Sequence, residues 1–563
     1  MDDALAIDAD VLVNGQKLVD KQLAHVDQVL VDEDMHRPAM FTMTLLDPDR
    51  DVVKQTGLRS GARVEIAITG EGAIGDGKLL IGEVVSVECD YDEVETQVIV
   101  RGYAASHRLH RGRRTRVFKD ATDSDMIRSV AGEAGLDVGE IDPTQEVHEH
   151  VTQANLTDWE FLTNRARPLG LDLIVTDGRL DLTRRQTADE APSAASAEAD
   201  TDGLDPRHLI YNYNLTKFHG RISAAEQVAN VEVRGWNRDR KEAVVGTAKA
   251  GTGAAGLDVT DPVKLAGLFA DPSFVDVISP VSNENEASGI ATAIAERIGS
   301  AFAEVDGEAV GNTALRAGVA VRVSGVNDDF NGAYVLSHVR HVINREGYRT
   351  QFSVSGHHDR SLLGLISASS NGNGQHGSTG RVPATLGLVR GIVSENADPE
   401  KLGRVKVKLP WLHEEFSSAW APVVQLGAGP DSGTFFLPAV QDEVLVGFEH
   451  GNIDRPIVVG GLFNGLDKPP AYAQYLDDGK VVGRAIVSRH GHEITFHDAD
   501  DTEGIIVSAV DGDRRSVVSI GLNGKEEKLV IHSTGNIDLD ADGDITVKAA
   551  GELVLQGAKI KLN

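Results

Sequence analysis

The sequence predicts a mainly β, multidomain chain that ends in a needle built by three copies. Three observations carry that prediction. Runs such as "RVEIAITG", "LLIGEVVSVECDY" and "VETQVIVRGYA" alternate apolar with polar residues at the period of a half-buried sheet. Residues 382–465 hold short strand-like runs separated by Gly, Pro and Asp turns, the spacing of a small barrel. From residue 529 onward, apolar residues recur as pairs at a step of eight. At 563 residues the chain is too long for a single core.

Composition narrows the function classes. The formal net charge of −31 repels nucleic acid and anionic membrane, and favours solubility. Cys89 is the single cysteine, so no intrachain disulfide can form, and its alternating run reads as a reduced, half-buried strand position. The acidic start "MDDALAIDADVLVNG" has no basic segment followed by an apolar one, and no run is long enough to span a bilayer. The expectation is assembly in the cytoplasm without a secretion signal or a stable membrane anchor.

Residues 1–366 form the first region, two mixed barrels with helices inserted. "TDSDMIRSVAGEAGL" reads as a helix with Asp123 or Ser124 as N-cap, a face of Met126, Ile127, Val130 and Ala134, and Gly135 as its stop. "LTDWEFLTNRARPLG" carries a capping box in Thr157 and Glu160 and must end near Pro168. The small, polar stretch at 188–205 reads as a flexible insertion. Strands resume in "VANVEVRGW", "VAVRVSGV", "AYVLSHVRHVI" and "RTQFSVSG". One helix breaks them, with Ile290, Ile294 and Ile298 at helical spacing.

Residues 367–381, rich in Gly, Ser and Asn, read as a linker. The compact β unit at 382–465 follows, then a connector at 466–480 and the terminal spike at 481–563.

In that spike, Leu529 and Ile531, Ile537 and Leu539, Ile545 and Val547, and Leu553 and Leu555 keep the eight-residue step, with Gly535, Gly543 and Gly551 in phase. Residues n and n+2 of a strand point the same way, so each octad offers two inward side chains and a glycine corner. Two aliphatics in eight cannot line a core alone, and a lone chain would leave both strand edges unpaired. Three chains about one axis would stack these residues in layers and close the edges. A single-chain β-solenoid is the alternative, with a different repeat length. Ile560 and Leu562 shift to a seven-residue step, which leaves Ile560, Leu562 and Asn563 as a candidate docking face for a separate tip.

"NADPEKLGRVKVKLPWL" followed by "DEVLVGFEHGNIDRPIVVGGLFNG" resembles the OB-fold module of the VgrG family, the central spike of contractile injection systems. "DATDSDMIRSVAGEAGL" and "QANLTDWEFLTNRARPLGLDLIVTDGRLDL" resemble the two helical signatures of VgrG and phage tail hub proteins. The resemblance covers most of the chain and is weakest at 188–280. It implies a homotrimer: a hub of two β-barrels per chain, an OB-fold collar and an intertwined β-helix needle. Its partners would be inner tube and baseplate proteins, a PAAR-like tip protein and effector cargo. No nucleic acid and no cofactor are implied, and the final location would be a phage tail-like particle.

Several further motifs carry residue types capable of chemistry. His490 and His492, with His497 nearby, fall at n and n+2 and could share one side of a strand as metal ligands; in the family resembled, a Gly-His pair is common at this entry to the needle, far from the apex where an ion would cap it. "EVHEH" at 146–150 and "GHHDR" at 356–360 read as solvated loop histidines. Asp498, Asp500 and Asp501 could suggest glycosidase carboxylates, but 86 acids make such clusters common by chance. "HRLHRGRRTRVFKD" at 107–120 reads either as a site for an acidic partner or as a solvated strand edge. No activated-serine elbow or phosphate loop is present. The expectation is therefore a structural protein with no catalytic residue; the rival is a trimeric tailspike that degrades polysaccharide.

Overall fold

A computed structural model of the chain describes residues 9–355 and 387–561, apart from 70–73, 75–76, 94–95, 185, 194–203, 238–239, 241, 252, 270–271, 278–280, 282, 411, 414, 471–474, 500–502 and 524–525. It divides into two compact units, Met1–Leu462 and Phe463–Asn563. The linker at 367–381 and "GHHDR" lie outside the described residues, as does most of the 188–205 insertion.

The first unit is built on one antiparallel sheet of eleven strands. Their order is Leu215–Ile222, Ala303–Val310, Gly347–Val354, His338–Asn344, Val26–Asp34, Arg37–Leu46, Thr96–Ala104, Gly77–Tyr91, Arg63–Ile68, Ala9–Val13 and Gln16–Lys17. Each half has its own core. Val31, Phe41, Met43, Ile66 and Val98 fill the first, while Phe302, Leu315, Tyr334 and Phe352 fill the second. The Phe41 ring lies flat on Gly102, where an added Cβ would sit 2.2 Å from the ring.

The halves meet where Val26–Asp34 pairs with His338–Asn344, in a register from Asp34 opposite His338 to Gln28 opposite Asn344. Polar contacts fasten this seam. Asp32 accepts hydrogen bonds from His338 Nε2 at 2.9 Å and Arg340 Nε at 2.8 Å. Arg316, from the second half, donates Nε to buried Glu33 at 2.9 Å and its other nitrogens to the carbonyls of Lys78 and Leu79 at 3.0 and 2.7 Å. Beside it, fully buried His341 accepts the Tyr348 hydroxyl at Nδ1 at 2.8 Å. Burial first, and then the Arg316 charge, push the His341 pKa down to about 3, so the ring is neutral.

Two smaller layers are inserted in the hub. Helices Asp123–Glu133 and Asp158–Ala166 pack Met126, Ile127, Val130, Phe161 and Leu162 onto the strands around them. The second helix has the expected Thr157 and Glu160 capping box. The first is capped by Thr122, not by Asp123 or Ser124, because the Thr122 hydroxyl accepts from the Asp125 amide while Asp123 and Ser124 turn inward and are buried. Helix Glu284–Ser300 lies on Asn230–Asn237, Glu242–Lys249 and Ser273–Asp276; at Gly246 an added Cβ would meet the helix backbone at 2.3 Å. Cys89, read as half-buried, is exposed, since Gly77–Tyr91 continues past the core at its far end.

Residues 389–461 form a five-stranded antiparallel barrel-type sheet: Ala421–Pro422, Arg404–Lys408, Val389–Glu395, Glu443–Phe448 and Pro456–Gly461. Val393, Val405, Val407, Val444, Val446 and Val458 make its core, against which Val117 of the hub also packs. His150 donates Nε2 to the Ser417 carbonyl at 2.8 Å, and Asp454 accepts the Thr152 amide at 2.9 Å. "EVHEH" is thus not a solvated loop: His148 and His150 sit on strand Val147–Leu156, and His150 joins hub to collar.

The second unit holds a five-stranded antiparallel meander in sequence order: Gly483–Val487, Glu493–His497, Gly504–Asp511, Arg514–Asn523 and Glu526–Ser533. Residues 534–561 form no strand within the chain.

His341 sets a pH prediction for the hub. Its folded pKa lies far below the ordinary 6.5, so the unfolded chain binds a proton that the folded chain refuses. The stabilisation is complete above pH 6.5 and is lost as pH falls from there toward 3, by up to about 1.4 kcal/mol per pH unit. Hydrogen exchange of His338–Asn344 should accelerate over that range, and His341→Gln should flatten the dependence. An unchanged acid slope in the variant would remove His341 as its source.

Candidate functional site

Residues directly opposite in an antiparallel ladder share a face, so register fixes what the meander presents. Ile486 faces Ile494, Ile494 faces Val507, Val507 faces Val518, and Val518 faces Ile531. A second row runs from Phe496 through Ile505 and Ile520 to Leu529. The two rows alternate along each strand and so lie on one face. All nine side chains are exposed, from 39% at Ile505 to 64% at Leu529. The opposite face carries Thr495 and Ser508, both 2% exposed, and the charged Glu493 and Arg515, 3.7 Å apart. That face also holds Ile506, Val517 and Val530, each half-buried, whereas the two rows are exposed, the pattern of a sheet face open to another body.

In sequence the octad follows from Leu529 and Ile531. Ile537, Leu539, Ile545, Val547, Leu553 and Leu555 are 51–76% exposed, and every described residue from 534 onward is exposed. Of the expected tip-docking residues, Ile560 is 52% exposed, while Leu562 and Asn563 lie outside the described residues. Sequence reading began the apolar ladder at Leu529 and missed the face above it. The signal was present in the n, n+2 pairs Ile494 and Phe496, Ile505 and Val507, and Val518 and Ile520, but their steps of eleven and thirteen hid it.

The collar signature has a physical cause. Asp398, 3% exposed, accepts the amides of Glu400, Leu402 and Arg404 and both Nε and Nη2 of the Arg404 guanidinium, at 3.1 and 2.8 Å. This closes a tight loop in which Lys401 and Gly403 take positive φ of 59° and 73°. The Arg404 hydrogen bonds hold the Asp398 carboxyl well below the usual carboxylate range. The collar also exposes Leu426, Phe435 and Phe436 around a two-residue hairpin.

The candidate chemical motifs separate. His490 and His492 lie in the turn between Gly483–Val487 and Glu493–His497, not on one side of a strand, and His492 Nδ1 accepts the Val510 amide at 3.0 Å. Among the described residues, no three His, Cys, Asp or Glu side chains are grouped to hold a metal. Asp498 pairs with Arg484, and Asp500 and Asp501 lie outside the described residues. The basic cluster is neither a free patch nor a plain solvated edge. Arg114 and Arg116 both pair with Glu133 and with Asp158, Arg113 pairs with Glu160, and Arg108 pairs with Glu83, so its charge is largely consumed in tying strand Arg114–Thr122 to both helices.

Comparison with known proteins follows the same division. The profile of the Alg8 N-terminal domain matches residues 3–345, more than half of the chain. That of the type VI secretion system and phage-baseplate injector OB domain matches 389–463. The type VI secretion system spike protein VgrG2a of Pseudomonas aeruginosa is 38% identical over 101 residues, 17% of this chain and 12% of that protein. VgrG3 of Vibrio cholerae is 32% identical over 134 residues, 22% of this chain and 13% of its own. The chain thus matches only about an eighth of these relatives' length. Among solved structures, a chain of the half-lidded Francisella PdpA–VgrG complex superposes with a TM-score of 0.51 at 9% identity, over 94% of this chain and 88% of that one, a likeness of fold.

Register gives a direct mutational contrast. Ile545→Asp or Leu553→Asp should destabilise the spike by several kcal/mol if these positions face a shared core, because burying like charges is costly. Asp540→Ala should change its melting temperature by no more than about 2 °C, as surface changes stay within about 0.5 kcal/mol. Equal melting of the two classes would mean that the inward register is wrong.

Proposed function

The chain belongs to the Alg8 N-terminal domain family and carries the injector OB domain of VgrG spikes and phage baseplates, and we propose that it is the structural hub and spike of a contractile injection system. In this reading three copies form a ring of hubs that joins an inner tube and baseplate, and their C-terminal segments wind into one needle that punctures a target envelope. The observation that carries it is the continuous apolar ladder of the second unit, exposed in the single chain and spaced so that only a repeated neighbour could match it.

The needle core comprises Leu529, Ile531, Ile537, Leu539, Ile545, Val547, Leu553 and Leu555, layered three by three about the axis. A PAAR-like tip seats at Ile560, Leu562 and Asn563, where exposed Ile560 offers an apolar contact. The role is mechanical, with work supplied by a contracting sheath, and it uses neither cofactor nor catalytic residue. The named relatives are themselves spike proteins, which supports a non-enzymatic role. No helix among the described residues is long and apolar enough to cross a membrane.

Removing this chain from its producing cell should yield particles, or baseplates, without central spike density and unable to permeabilise their target. Electron microscopy and a dye-leakage assay read both outcomes. Particles that perforate normally without it would contradict the proposal.

A further inference from the structure

We propose, resting on the trimeric spike reading above, that the apolar face of the 483–533 meander is the nucleus on which three copies of this chain first associate, and that 534–561 becomes ordered only afterwards. The two segments differ in what they lack. Within the meander every strand hydrogen-bonds its sequence neighbour, with eight paired positions between Gly504–Asp511 and Arg514–Asn523 and eight more to Glu526–Ser533. Its backbone is therefore satisfied along the interior of the sheet by one chain, and on one face Thr495 and Ser508 are buried and Ile506, Val517 and Val530 half-buried. The face with the two aliphatic rows is the exposed one.

Residues 534–561 lack both. They form no strand pairing in the chain, and their side chains are exposed throughout. An isolated extended segment gains neither ladder hydrogen bonds nor burial to offset the entropy of ordering it. It needs neighbours at every octad before it can form, whereas the meander needs them at a single preformed face. Association through the meander then brings three tails to one point at high effective concentration, and they can wind from the top downward.

The occupant of the face is fixed by continuity. The pair Leu529 and Ile531 closes both rows of the meander and is also the first pair of the octad, so in sequence the octad takes up where the two rows end. Whatever covers the rows must carry the same ladder beyond Ser533. A further copy of this chain does so at every layer.

Three full-length variants test this beside the wild type, by native mass and by hydrogen exchange. Val507→Asp combined with Val518→Asp, on the face, should give monomers whose 534–561 amides exchange at the rate of an unstructured chain while hub exchange stays unchanged. Ile545→Asp, in the ladder, should remain trimeric and lose protection from its own octad to residue 561, with the meander unchanged. Ser519→Asp, on the other face of the same strand as Val518, should remain trimeric. A trimeric face variant, or a monomeric Ile545→Asp or Ser519→Asp chain, would overturn the nucleus. A wild type that is itself not a trimer would instead remove the reading on which this rests.

Discussion

An extended segment with two aliphatic residues in every eight cannot enclose itself, and the second unit is arranged around that constraint. In the single chain the ladder from Leu529 to Leu555 is exposed at each pair, and the backbone from 534 onward has no partner strand. Both deficits have one remedy, a neighbour with the same period, since hydrogen bonding and burial are then satisfied together. The glycines at 535, 543 and 551 fit the same logic, placing a residue without Cβ once per turn of the repeat.

The hub answers a different requirement. It joins two separate cores through one eleven-stranded sheet. The weak point of such a plan is the strand pair at which the halves meet, supplemented by an isolated bridge between Ile74 and Asn312. Arg316 reinforces it with three hydrogen bonds across the seam, one of them to nearly buried Glu33. A paired, buried carboxylate of this kind is costly to break even where it adds little net stability when intact. The collar is then fixed to the hub by Val117, His150 and Thr152.

Much of this was legible in the sequence because it depends on local periodicity. The alternating runs and the Thr157 capping box read correctly as element types, since periods of two and of 3.6 residues survive without tertiary information. What failed was whatever depends on partners distant in sequence. Asp123 looked like a cap, but its carboxylate is claimed by His148 and Arg165. The basic cluster looked free because Glu133 and Asp158 lie on helices that fold back over it. His490 and His492 looked like a strand pair because the hairpin turn that holds them carries no Pro or Asn-Gly signal. The meander's apolar face needed the strand register, which unequal spacing concealed.

The account's central claim is that three identical chains share one apolar core. Heavy and light isotopic forms of the full chain, co-folded and resolved by native mass spectrometry, test it most directly. Three chains per particle give four mass species in a 1:3:3:1 pattern when the two forms are equal. Three species in a 1:2:1 pattern, or two unmixed species, would contradict it.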